Sequence, residues 1–374
     1  MATVSPPAPS TPAQAHLALR RAVIFVTTHC NFKCGFCEFA ADVLPREKKF
    51  HFPIEKWEPL LHDLRAEGCR ELYLTGGEPL MHPQFWEMVE TADRLKFPIH
   101  RITTNGSMAK RMGEQENRLA REAVRAIQVS VDSPRADEHD QSRGFEGAME
   151  KVVEFCKLLH SANVRTHISN VLTRELWPRT TELIEWAHGH GACHVNLQPC
   201  NWESNYGDYR PVEDKLRYQI PPSELDAVDR ELLRAQRMAR RLGVTTNLAL
   251  LRRWVRAFFE CQGTEEFFHD RIFSRFRCYV PHTTVYIGAN GEVFPCTLLS
   301  HVGSLGEKSF QELWRKDMQR IRNPLDQGKF FSACRSCYCD FPANFRKNLT
   351  RHPVRNAGLA LRTLAYYTQR LRTY

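Results

Sequence analysis

Short apolar runs alternate along the first two hundred residues with stretches whose apolar positions recur every three or four residues. The runs lie at 23–27, 71–75, 99–103, 127–131, 164–171 and 194–197, and their length and β-branched content predict strands. Between them, Ile54, Trp57, Leu60, Leu61 and Leu64 share one helical face, and Phe85, Met88, Val89, Ala92 and Leu95 repeat that spacing. Val152, Val153, Phe155, Cys156 and Leu159 follow it less cleanly, and residues 181–188 supply a last crossover. Alternating strand and helix predicts a parallel sheet with right-handed crossovers. Six such units make an α/β fold, a partial (β/α)6 TIM-type barrel over 21–222, with chemistry expected on the loops after the strand ends.

The pattern changes after Pro199. Residues 221–242 and 247–260 read as arginine-rich helices, placing a helical linker at 223–275. Beyond it, Asn290-Gly291 between two alternating runs predicts a hairpin inside a small α+β module at 276–340.

Apolar residues at 42% and charged ones at 25% are ordinary for a globular protein of this length. No run nears the roughly 18 apolar residues of a membrane span. Residues 1–20 begin in Pro, Ala, Ser and Thr without a basic start or apolar core, which predicts a disordered tail rather than an export signal. The net charge of +9 is uneven: residues 341–374 hold no acid, and Arg346, Lys347, Arg351, Arg355, Arg362, Arg370 and Arg372. That basic segment either packs on its own domain or meets an anionic membrane surface or another anionic partner. Thirteen cysteines without an export signal favour metal ligation in a reducing cytoplasm over disulfides.

Three of them, Cys30, Cys34 and Cys37, form a C-x₃-C-x₂-C run just after the first strand. Three thiolates can hold three irons of a [4Fe–4S] cube and leave the fourth iron open. A zinc site is the alternative, with His29 or His51 as fourth ligand. The other strand ends carry polar or glycine-rich turns: Gly76-Gly77-Glu78-Pro79, Thr104-Asn105-Gly106, and Ser130 with Asp132, followed by Arg143. Paired glycines permit close backbone approach, Glu78 could accept from an ammonium, and a guanidinium at 143 could pair with a carboxylate. Each alone is an ordinary turn or cap; set on successive strand ends beside the triplet, they outline a binding site.

On these residues the chain resembles the radical S-adenosylmethionine (SAM) enzymes over about 20–205. The triplet matches their cluster ligands, Phe36 the aromatic position before the last cysteine, and Gly76, Gly77, Glu78 and Pro79 the G-G-E-P motif that binds the methionine amino group. Ser130 and Asp132 resemble the segment after the fourth strand that contacts the cofactor, and Arg143 and Asn170 match less closely. The resemblance implies a SAM-binding [4Fe–4S] cluster, an external electron donor such as flavodoxin or ferredoxin, and a 5′-deoxyadenosyl radical that abstracts hydrogen from substrate.

A second group is Cys278, Cys296, Cys334, Cys337 and Cys339. Cys278, Gly291 and Cys296, with Cys334 and Cys337, are similar to the auxiliary-cluster module called SPASM or its one-cluster form, the twitch domain. Further cysteines of a full SPASM module are absent, implying one auxiliary [4Fe–4S] cluster with Cys337 or Cys339 as fourth ligand. A zinc ribbon is the structural alternative. Cys156 and Cys69 read as core or structural, and Cys200, just beyond the sixth strand, as a candidate hydrogen donor or an inert thiol.

The function expected is hydrogen abstraction from a small or lipid-linked substrate, by dehydrogenation, epimerisation or rearrangement, in the cytoplasm, with the membrane periphery as a further candidate location. The alternatives are a maturase of ribosomal peptides, or a non-catalytic iron–sulfur or zinc scaffold. The polar, aromatic loop 201–210 is a candidate substrate contact, and no nucleic-acid partner is expected.

Overall fold

The computed structural model describes residues 18–113, 123–201, 216–261, 264, 278–337 and 344. Its centre is a ten-stranded sheet in the order β10-β9-β8-β1-β2-β3-β4-β5-β6-β7. The six expected strands are β1 (Arg21–Thr27), β2 (Glu71–Gly76), β3 (Ile99–Thr104), β4 (Ile127–Ser130), β5 (Thr166–Leu172) and β6 (Ala192–Pro199). They pair in parallel in chain order. The sheet is curved but unclosed, a partial TIM-type barrel extended at both edges.

Helices α1 (Trp57–Ala66), α2 (Phe85–Arg94), α3 (Ala136–Arg143), α4 (Ala148–Ser161) and α5 (Thr180–Gly189) lie in the crossovers. They form where the spacing puts apolar residues on one face: Trp57, Leu60, Leu61 and Leu64 of α1 are buried, as are Phe85, Met88, Val89 and Ala92 of α2. These pack in one core with Ile24, Leu74, Ile102, Val129, Ile168 and Val195 of the strands.

Three strands differ from the expectation. The linker carries, between α6 (Leu225–Leu242) and α7 (Leu248–Cys261), a two-residue strand β7 (Thr245–Thr246) that extends the sheet beside β6. The hairpin forms as predicted, β8 (Thr284–Ile287) against β9 (Glu292–Phe294), with Gly291 at φ 85° in the turn. It is not a free-standing module, however: β8 pairs in parallel with β1, Arg21 opposite Thr284 and Ile24 opposite Ile287. Short β10 (Gly303–Ser304) pairs with β9. Pairing β8 with β1 satisfies a row of backbone groups that an edge would leave bare.

The same region is tied to the barrel through α1, where Gln311 donates to Asp63 at 2.6 Å and Arg315 to Glu67 at 2.9 Å. Among the described residues no helix is long and apolar enough to cross a membrane. The N-terminal tail through residue 17, the loop 202–210, Cys339 and, Asn344 apart, the basic segment 341–374 lie outside the described residues.

Candidate active site

Strand β1 ends at Thr27, and the chain runs straight into the cysteine loop. The glycine turn after β2 is laced to it: Gly77 N–H donates to Thr27 O at 2.8 Å and Glu78 N–H to His29 O at 2.7 Å. This approach requires glycine twice. A Cβ on Gly76, whose φ is 145°, would stand 2.1 Å from Thr27 O, and one on Gly77 would stand 2.2 Å from His29 O.

Glu78 is fully buried and does something other than wait for an ammonium. Its carboxylate accepts from Leu80 N–H at 3.1 Å, Thr104 Oγ1 at 2.8 Å and Asn105 N–H at 2.7 Å. It therefore clamps the ends of β2 and β3 together, turned inward. Burial pushes its carboxyl up to about 7, against these three stabilising donors. Buried Pro79 opens the 3₁₀ turn Pro79–Met81 that follows.

Asn105 reaches the cysteine loop directly. Its Nδ2 donates to Asn31 Oδ1 at 2.9 Å and stands 3.9 Å from Cys30 Sγ, while its Oδ1 accepts from Ser107 N–H. From the other side, Lys33 N–H donates to Arg143 O at 3.0 Å, and buried Phe32 stacks on Phe145 at 4.8 Å. Phe32, Cys34 and Ala148 form a small core of their own against Cys30, Phe36 and Cys37.

The strand-four segment meets the loop through one buried ion pair. Arg143 Nη2 donates to Asp132 Oδ1 at 2.7 Å, and Ser142 Oγ donates to Asp132 Oδ2 at 2.7 Å. The carboxylate predicted for Arg143 is thus the chain's own. Asn170 spends both donors of its amide on Val131 O and Asp132 O, at 3.1 and 2.8 Å, so it holds the strand end in shape. Ser130, opposite Ser169 in the register, is part-exposed on the sheet. Phe36 packs edge-on to Tyr218 at 5.8 Å, and the Arg143 guanidinium lies 5.9 Å from its ring.

Cys30, Cys34 and Cys37 share this pocket. Burial pushes Cys30 up to about 11 and Cys37 up to about 12, and raises Cys34, with the neighbouring sulfurs adding to the shift at Cys30 and Cys37. Such thiols stay protonated unless a cation replaces the proton, as ligation by iron does. The donor set fits a cluster with a further ligand beside it: three thiols face one another, and the buried Nε of Arg143 has no protein partner. His29 and His51, the zinc alternative's fourth ligands, instead stack on each other at 4.3 Å, and His51 Nδ1 is bonded to Thr27 Oγ1 at 2.9 Å. Among the described residues no group of three His, Cys, Asp or Glu is set to hold a single metal ion.

The second cysteine group also converges. Cys278, Cys296, Cys334 and Cys337 line one cavity, whose other walls include Val280, Leu298, Leu299, Leu325 and Phe330. Leu298 N–H donates to Cys296 Sγ at 3.5 Å, and Cys337 N–H to Cys334 O at 3.2 Å. Cys156 and Cys69 are buried, and Cys200 is buried at the end of β6, its N–H on Leu172 O.

Tyr218, Asn31, Ser142 and His139 escaped the sequence reading. Asn31 and Ser142 carried a signal, each being a hydrogen-bonding neighbour of a motif residue. His139 lies one helical turn before Arg143, and its Nδ1 accepts from Asp132 N–H at 3.2 Å. Tyr218 follows a stretch without periodicity and gave none; yet a Cβ on Gly35 would strike its hydroxyl, so it closes over the cysteine loop.

A partial barrel with a three-thiol loop after β1, a laced glycine turn after β2 and a four-cysteine cavity on its extended edge defines an iron–sulfur protein built to bind a small polar cofactor. Comparison with known proteins agrees. Residues 24–187 match the radical SAM superfamily, and residues 278–338 match the iron–sulfur cluster-binding SPASM domain. Residues 24–187 thus form a radical SAM domain and residues 278–338 a SPASM-type domain, which together imply two [4Fe–4S] clusters beside SAM as cofactors.

Among curated relatives, a GTP 3′,8-cyclase of Mesorhizobium japonicum is 29% identical over 173 residues, 45% of this chain and 51% of that protein. The chain thus spans about half the length of that relative. An AdoMet-dependent heme synthase of Oleidesulfovibrio alaskensis is 23% identical over 345 residues, 83% of this chain and 80% of that one. In fold, the chain is similar to SuiB of Streptococcus suis bound to S-adenosylmethionine, at TM-score 0.61 and 18% identity over 88% of this chain and 74% of that one. It is likewise similar to anSMEcpe with bound AdoMet, at TM-score 0.59 and 15% identity over 94% of this chain and 99% of that one.

Proposed function

We propose that this protein is a radical SAM enzyme that modifies a peptide, with Cys30, Cys34 and Cys37 holding the SAM-binding cluster and Cys278, Cys296, Cys334 and Cys337 an auxiliary one. A cluster held by the first three thiols, with a donor of the flavodoxin or ferredoxin class, would supply the electron for reductive cleavage of SAM and so a 5′-deoxyadenosyl radical for hydrogen abstraction. The observation that carries the reading is the lacing of the triplet loop to the glycine turn, Gly77 N–H to Thr27 O and Glu78 N–H to His29 O. It fixes the backbone of the G-G-E-P segment beside the start of the cysteine loop. Glu78 orients that backbone, Asn105 orients Asn31 beside Cys30, and Phe36 with Tyr218 excludes water above the loop.

A peptide substrate is favoured over the lipid-linked one expected from the basic segment. SuiB has also been solved bound to the precursor peptide SuiA, and anSMEcpe with a Cp18Cys peptide. A small-molecule substrate is the second reading, supported by the heme synthase, whose match runs across most of both chains.

The two separate in one experiment. Reconstituted protein with SAM and dithionite is given the peptide-sized fraction of a host lysate. We expect 5′-deoxyadenosine formation to rise above the substrate-free rate and to fall back after protease treatment of the fraction. Stimulation confined to a low-mass, protease-resistant filtrate would refute the peptide reading in favour of the small molecule.

A further inference from the structure

Arg143 stands buried between Asp132 and the cysteine triplet. Its side chain is 7% exposed, and that of its partner Asp132 is 0% exposed. One terminal nitrogen, Nη2, donates to Asp132 Oδ1, while the other, Nη1, stands 3.8 Å from Cys34 Sγ, within hydrogen-bonding reach of a sulfur acceptor. The residue's own carbonyl also lies 3.9 Å from that sulfur, but it accepts from Lys33 N–H, which draws off part of its negative charge. The acid is in turn fixed from three sides, by Ser142 Oγ on its second oxygen, by His139 on its N–H and by Asn170 on its carbonyl. A buried guanidinium is therefore held by a rigid carboxylate with one arm toward a sulfur of the triplet.

We propose that Asp132 and Arg143 form a charge couple that sets the reduction potential of the cluster held by Cys34, with Arg143 the positioning residue and Asp132 its anchor. The inference rests on the reading of the triplet as cluster ligands. Hydrogen bonds to ligand sulfur and nearby net charge are the levers by which a protein moves such a potential. Reduction adds one negative charge to the cluster. A cation beside Cys34 favours the reduced state, and an anion behind that cation opposes it.

The two members consequently act with opposite signs. Removing the positive charge in Arg143→Gln lowers the potential; removing the negative one in the near-isosteric Asp132→Asn raises it. Arg143→Lys, which keeps the charge, restores most of the wild-type value.

The test is a dithionite titration of each reconstituted protein, without SAM, in which one electron takes the cluster from its 2+ to its 1+ state and electron paramagnetic resonance reads the reduced form. A Cys296→Ala background removes the auxiliary signal. We expect opposed shifts, each changing the oxidised-to-reduced ratio at fixed potential by about tenfold, 59 mV for a one-electron couple. Shifts of the same sign, or none, would overturn the proposal; pure SAM binding predicts none without SAM, and a packing role predicts lost iron rather than opposed signs. If Arg143→Gln fails to load iron, the sign at Asp132→Asn decides. A wild type that forms no cluster at all would instead refute the parent reading, and the two failures are distinct.

Discussion

Glu78 turns its carboxylate into the fold beside the cysteine loop. Three donors hold its carboxylate between the ends of β2 and β3, and burial raises the carboxyl from 4.5 to about 7. The folded protein therefore binds that proton more tightly than the unfolded chain. The stability contributed is complete below about pH 4.5 and is lost as pH rises through about 7, worth about 3 kcal/mol across the window. Glu78→Gln cannot titrate, although its amide meets Asn105 N–H donor to donor and costs about 1–3 kcal/mol. Anaerobic urea unfolding at a series of pH values should thus find the wild-type advantage over Glu78→Gln shrinking between pH ~5 and ~8. Parallel stability profiles would show that Glu78 keeps an ordinary carboxyl in the fold.

At the scale of elements, the site is an agreement among loops. The turn after β2 grips the loop after β1, the turn after β3 reaches Asn31, and the start of α4 packs Ala148 under Phe32. The strands and helices feeding these loops were legible because each keeps a period, two-sided in Trp57 to Leu64 and near-continuous in Val23 to Val26. The triplet and the glycine turn were legible because their chemistry demands fixed spacings. What stayed hidden was pairing at a distance. Thr245–Thr246 is too short to show a period, and nothing in the Thr284 to Ile287 run says that its partner is β1. The direction of Glu78 was also illegible: a carboxylate after two glycines serves a ligand or its own backbone equally well, and only the position of Thr104 and Asn105 decides.

For the whole molecule, β8 makes the cluster-bearing C-terminal region part of the barrel's own sheet. Four residue pairs from Arg21–Thr284 to Ile24–Ile287 cover the β1 edge, and the contacts of Gln311 and Arg315 with α1 reinforce them. A chain cut after residue 261 leaves that edge bare directly beneath the cysteine loop. We expect it to aggregate, or to lose iron from the triplet as well as from the cavity it lacks; light scattering and iron analysis read both. A monodisperse fragment holding one intact SAM-cleaving cluster would mean that the two regions are independent domains.

The account stands most directly on iron and SAM cleavage measured together. Anaerobically reconstituted wild-type protein should hold about eight irons per chain, two cubes of four, and form 5′-deoxyadenosine when given SAM and dithionite. The combined Cys30→Ala, Cys34→Ala and Cys37→Ala change should remove about half the iron and all cleavage, whereas Cys296→Ala should lose the other half and still cleave SAM. Cleavage that survives the triple change, or a wild type that binds its clusters and forms no 5′-deoxyadenosine, would contradict it.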